Sequence, residues 1–127
     1  MNKILILISL AYSCGALADQ VAFNCVTPKH NIVITKENGN LFRYRSWNIP
    51  KSTSEKPDLE LKKKNASEIE GTGVCRHTRY LFTSGKTTIE VTDSTDCMEG
   101  EPPKNAIGNL FVFIDDEMKN HYYCLKQ

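Results

Sequence analysis

This sequence predicts an all-β fold: a small antiparallel barrel or sandwich built from hairpins and tied by two disulfides. Three observations carry that expectation. After residue 18, short runs rich in Val, Ile, Thr, Phe and Tyr alternate with turn residues, and no stretch keeps a helical period. Four cysteines, Cys25, Cys75, Cys97 and Cys124, fall within that region. The first 18 residues read as an export signal, which places those cysteines where thiols oxidise.

The signal is justified by its parts. Lys3 is a short positive start, Ile4 opens an apolar run reaching Tyr12, and Ala16-Leu17-Ala18 precedes Asp19 as a small-x-small cleavage site. The run is too short for a bilayer span, which needs roughly 17–25 residues, so no membrane span is expected. Cleavage before Cys14, as in a bacterial lipoprotein, fits less well, because the bulky Tyr12 stands where a small residue is usual. The expectation is a signal peptide over 1–18 and one β domain over 19–127, in the periplasm or secreted.

Val21–Val26 opens the domain as a short strand, and Asn31–Thr35 follows. Asn38-Gly39 then turns the chain into Leu41–Trp47, because both turn residues tolerate positive φ. Asn48–Pro57, with two prolines among Ser, Thr and Lys, reads as a long loop. Leu59–Lys62 alternates like a short strand, and Asn65–Gly73 reads as a loop leading into the next one. Val74–Thr83 and Thr87–Thr92 form a hairpin around Ser84-Gly85. Asp93–Asn105, with Gly100 and Pro102-Pro103, is a second long loop. Gly108–Ile114 then pairs with Met118–Leu125 across Asp115-Asp116. Leu110–Ile114 is apolar without alternation, the pattern of a strand covered on both faces.

Four cysteines allow three pairings. Folding about Ser84-Gly85 brings Cys75 and Cys97 to the open end of one hairpin, leaving Cys25 with Cys124 to join the first strand to the last. No pair has the C-x-x-C spacing of a zinc site, and neither metal nor cofactor is expected.

The chain has 16 Lys and Arg against 15 Asp and Glu. Removal of Lys3 with the signal leaves 15 against 15, a formal charge of zero. That argues against nucleic acid or an anionic membrane as main partner, since both call for concentrated positive charge. The only basic run, Lys62-Lys63-Lys64, reads as a solvated loop.

Catalytic candidates are sparse. His30, His77 and His121 invite comparison with the acid/base pair of secreted ribonucleases, but their spacing places them in a turn and two separate hairpins, with no nucleophile alongside. Ser84 sits in a turn without a G-x-S-x-G elbow. Asp93, Asp96, Glu99 and Glu101 lack the ligand spacing of an EF-hand and read as a solvated acidic loop. Arg43, Arg45 and Trp47 are more suggestive of binding. Period-2 geometry puts them with Leu41 on one strand face and Phe42, Tyr44 and Ser46 on the other. With Phe42 and Tyr44 in the core, the arginines and Trp47 face outward, as a protein-binding hot spot or, for Trp47, as packing beneath the loop that follows.

The export signal, the early Cys25, the last-strand Cys124 and the hairpins between them resemble in layout the small periplasmic C-type lysozyme inhibitors. That family builds an eight-stranded antiparallel barrel and inserts a Ser-Gly-x-x-aromatic loop into its target. The matching segment is Ser84-Gly85-Lys86-Thr87-Thr88, which lacks the aromatic. The resemblance implies a non-enzymatic protein that blocks another protein, a lysozyme inhibitor or an immunity protein against a cell-wall toxin. Arg43, Arg45, Trp47, Ser84 and Lys86 are its candidate contacts. A secreted hydrolase using His77 or His121, or an envelope structural protein, are the competing expectations.

Overall fold

Each turn predicted above joins two strands that pair with each other, so the fold is a meander. The structure, a computed structural model, describes residues 20–127. The expected signal, with Cys14 and the Ala18–Asp19 junction, lies outside the described residues. Strands β1 (Gln20–Val26), β2 (His30–Glu37), β3 (Leu41–Asn48) and β4 (Leu59–Lys64) form one antiparallel sheet in that order. Strands β5 (Ser67–Glu70), β6 (His77–Ser84), β7 (Thr87–Thr92), β8 (Ala106–Ile114) and β9 (Glu117–Leu125) form the second, again in chain order. The sheets are not closed into a barrel; they face each other as a sandwich.

Local chemistry sets the turns. Gly39 and Asn40, with φ of 72° and 58°, make the connection that pairs Glu37 with Leu41. Gly85, at φ 58°, lets Ser84 pair with Thr87, so the turn residues are Gly85 and Lys86. Asp115 and Asp116 are both left-handed, as a mirror-image two-residue hairpin turn requires.

The stretch after β4 departs from expectation. Asn65–Gly73 is not simply a loop, because Ser67–Glu70 pairs with Tyr80–His77 as β5. Asn65 takes a left-handed φ of 56° at the corner where the chain leaves the first sheet for the second. Ala66 is buried there, and its carbonyl accepts a hydrogen bond from Leu81 N–H. Strand β6 starts at His77 rather than Val74, since Gly73–Cys75 forms a 3-10 turn. Lys62, Lys63 and Lys64 end strand β4 and do not form a loop; on an edge strand, lysines discourage pairing with another chain.

The two inner faces supply the core. Ile32, Ile34, Phe42 and Tyr44 of the first sheet meet Phe82, Ile89, Val91 and Leu110 of the second. Burying each such side chain contributes about 1.5–3 kcal/mol. Phe42 and Tyr44 face inward as the period-2 reading requires. Gly108 belongs to the same face, where a Cβ would collide with the Thr92 carbonyl oxygen and crowd the Phe23 ring. Strand β8 is not fully covered on both faces: Leu110 is buried, but Phe111 and Phe113 are only partly buried on the outer side.

Both disulfides pair as geometry predicted. Cys25–Cys124 joins the outermost strands of the two sheets, with Cα atoms 4.6 Å apart. Cys75–Cys97 ties the 3-10 turn before β6 to the loop after β7, with Cα atoms 5.5 Å apart. Among the described residues, no helix is long and apolar enough to cross a membrane.

Candidate protein-binding face

Strand register determines which side chains share the outer face of the second sheet. One row runs Glu68, Arg79, Thr92, Asn109, Tyr123 across all five strands. The next runs Leu81, Glu90, Phe111, His121, and the third Thr83, Thr88, Phe113, Met118. The face therefore grades from ionic groups on β5–β7 to aromatic ones on β8–β9.

Arg79 organises the ionic side. Its guanidinium meets Glu68 at 2.9 Å, Glu90 at 3.0 Å and Glu70 at 3.1 Å. Hydrogen bonds to Glu68 and Glu90 push its pKa further up. Three carboxylates around one guanidinium leave a local excess of negative charge. His77 adds to the cluster, with Nε2 3.5 Å from Glu70 and Nδ1 2.9 Å from the Cys75 carbonyl oxygen.

His121 organises the aromatic side. Its ring stacks on Phe111 with centroids 4.6 Å apart and planes 14° from parallel, and Tyr123 meets it edge-on at 4.7 Å. Its Nε2 lies 2.8 Å from Asn109 Oδ1. Burial lowers the pKa of this imidazole, so it is held neutral at pH 7. Asn109 is itself buried and donates through Nδ2 to Thr92 Oγ1 at 3.0 Å and to the Ser94 carbonyl at 3.1 Å. Met98 Sδ also lies 3.1 Å from Nδ2, so this one amide binds the Asp93–Asn105 loop down to the sheet. A cavity of about 270 Å³ lies between that loop and the face, lined by His77, Asp96, Met98, Asn109 and Phe111 among others. Met118 extends the aromatic strip and is 57% exposed.

The even balance of charges over residues 19–127 hides a separation between the two halves of the chain. Residues 19–65, which contain the first sheet, carry nine Lys and Arg against five Asp and Glu, a balance of +4. Residues 66–127, which contain the second, carry six against ten, a balance of −4. Faces of opposite sign steer charged partners even when the sum is zero.

The residues singled out from sequence do not converge on one place. Arg43 and Arg45 lie on the outer face of the first sheet, where Arg43 pairs with Glu37 and, at 3.3 Å, with Glu60. Trp47 shares that face but is only 2% exposed. The Asn48–Pro57 loop folds over it, and Trp47 Nε1–H donates to the Glu55 carbonyl at 2.8 Å, so its ring packs as the loop's floor and is not presented to a partner. Ser84 and Lys86 are exposed at one end of the sandwich, beside the Asp115-Asp116 turn, whose Asp115 N–H donates to the Lys86 carbonyl.

Nor are the histidines assembled for acid/base work. His77 and His121 lie on one face but three strands and four residues apart. At about 3.3 Å per residue and 4.8 Å per strand this is roughly 20 Å, too far for both to touch one reacting centre. His30 begins β2 on the inner side, edge-on to Tyr122 at 5.5 Å. Among the described residues, no three His, Cys, Asp or Glu side chains gather as a metal site. No protein-family model, curated protein or solved structure matches this chain.

Proposed function

We propose that this protein is an exported binding protein that captures and blocks a cationic protein through the outer face of its second sheet, and that it is not an enzyme. The observation that carries this reading is the joining, on one rigid face, of an excess of carboxylates around Arg79 to the ordered strip of Phe111, Phe113, His121 and Tyr123. Aromatic anchors supply most of the energy at protein interfaces, and surrounding charge selects the partner and speeds encounter. Packing and hydrogen bonds already hold the strip, so little side-chain entropy is lost on binding. Two disulfides support an address in the periplasm or outside the cell. A basic cell-wall hydrolase is the partner chemistry this face suits, which covers both a lysozyme inhibitor and an immunity protein against a cell-wall toxin.

The test is retention of basic lysozymes and candidate toxins on immobilised protein at low and high salt. Binding should weaken steeply with salt, and Phe111→Ala or Glu90→Lys should reduce it at least tenfold, while Arg45→Glu on the opposite sheet leaves it intact. A Lys86→Glu variant that alone abolished binding would instead place the contact on the exposed β6–β7 turn, as the resemblance to lysozyme inhibitors implies. Failure to retain any basic protein would overturn the reading.

A further inference from the structure

At the end of the sandwich bearing the β6–β7 turn, the two sheets part around a cleft of about 310 Å³. By volume it has room for about ten molecules of liquid water. Ile89, Leu110 and Val112 of the second sheet form one wall and Tyr44 of the first sheet the other, while Leu59 and Thr87 stand at the mouth. Ligand pockets are of this kind: a mostly apolar enclosure, upward of roughly 300 Å³, holding a few placed polar groups.

The polar groups here are specific. Tyr44 and Ser46, two residues apart on the inner face of β3, both line the cleft while almost wholly buried. Burial pushes the Tyr44 phenol up to about 12, so it remains a neutral O–H donor. His30, on the same side, has its pKa lowered by burial and by Lys29, so it too is uncharged at pH 7. The one carboxylate, Asp58, is already occupied: its Oδ2 accepts from Asn48 N–H at 2.7 Å and its Oδ1 from Lys51 Nζ at 3.2 Å. The cleft thus offers apolar walls, the buried hydroxyl residues Tyr44 and Ser46, and the neutral polar groups of His30, Asn48 and Thr87, with no uncompensated charge.

We propose that this cleft is a binding site for a small uncharged molecule with an apolar body and a single hydroxyl, the body lying between Tyr44 and the Ile89–Leu110–Val112 wall and the hydroxyl meeting Tyr44 and Ser46. A charged ligand is disfavoured because nothing in the cleft would replace its hydration. A pure hydrocarbon would fill the space but offer these hydroxyls no hydrogen bond of its own. The site is separate from the outer face assigned to a protein partner, and neither reading depends on the other.

The experiment is an amide-resolved NMR titration of the disulfide-bonded protein with p-cresol, toluene and benzylamine in turn. p-Cresol should give saturable shifts grouped at Tyr44, Ser46, Ile89, Leu110 and Val112. Toluene should bind at the same place about five-fold more weakly, the equivalent of one hydrogen bond, and protonated benzylamine should not bind. Leu59→Trp, at the mouth where folding is spared, should reduce p-cresol affinity at least five-fold, and Ser46→Ala should bring p-cresol and toluene closer together. Absence of saturable shifts up to the solubility limit overturns the site. Equal affinity for p-cresol and toluene overturns the role given to the hydroxyls, and unaltered p-cresol binding by the Leu59→Trp protein would place any binding elsewhere.

Discussion

His121 Nε2 lies 2.8 Å from Asn109 Oδ1, and through that amide the last strand is coupled to Ser94 in the disulfide-bearing loop, 12 residues before the start of β8 at Ala106. Asn109 accepts from the imidazole and donates to Thr92 Oγ1 and the Ser94 carbonyl, so both ends of the amide are used. Removing it leaves several buried groups unpaired at once, each costing about 1–3 kcal/mol. Asn109→Leu should therefore lower unfolding stability by about 2–4 kcal/mol. Urea denaturation measures the loss, and hydrogen exchange should show the 93–105 loop opening before the strands. A change within experimental error would mean that the network is incidental.

Acidification tests the same imidazole. His121 and His30 both have folded pKa values below the unfolded value of 6.5, His121 by burial and His30 by burial and then Lys29. The unfolded chain therefore takes up protons first as pH falls. Stability is full above about pH 6.5 and declines as pH drops through the folded values. Thermal unfolding between pH 7.5 and about 5 should show a falling Tm, and His121→Gln should flatten part of the slope. A Tm that rose over this window would contradict the sign.

The disulfides close loops of very different length. Cys25 and Cys124 are separated by 99 positions and Cys75 and Cys97 by 22. In the chain-entropy model these closures stabilise by about 5 and about 3 kcal/mol. Replacing Cys25 and Cys124 together by alanine should consequently cost more than replacing the other pair. Full reduction should unfold or loosen a domain whose total stability is on the order of 5–15 kcal/mol. Equal denaturation midpoints with and without reductant would refute this.

Much of the fold was readable from local chemistry, because each hairpin is announced by its own turn residues. Asn38-Gly39, Ser84-Gly85 and Asp115-Asp116 mark turns whose φ angles few other residues adopt at low cost, and the alternation of Phe42 and Tyr44 with Arg43 and Arg45 sets the inner face of β3. The Asn65 corner was not readable in this way. A strand that leaves one sheet for another is decided by tertiary packing of Ala66, and Ser67–Glu70 has only one apolar residue to signal it. The non-alternating run Leu110–Ile114 has the pattern of a doubly buried strand, whereas its outer residues Phe111 and Phe113 form part of an aromatic strip. Periodicity does not distinguish a covered face from a partly exposed apolar one. The charge separation was countable from the start, since its boundary falls at residue 65, but only the two-sheet division gives that boundary meaning.

Trp47 offers a direct optical check on how the first sheet is covered. It is the single tryptophan, 2% exposed, with its indole N–H bonded to the Glu55 carbonyl 2.8 Å away. Its native emission should be blue-shifted and poorly quenched by iodide, and should move to the red on unfolding. Trp47→Phe keeps a ring in the floor but removes the donor, leaving the Glu55 carbonyl to water, so its cost should be about 1–3 kcal/mol in packing and hydrogen bonding. Protease susceptibility should rise within 48–58 and nowhere else. A red-shifted, freely quenched native emission would place the indole in solvent and return Trp47 to the residues able to meet a partner.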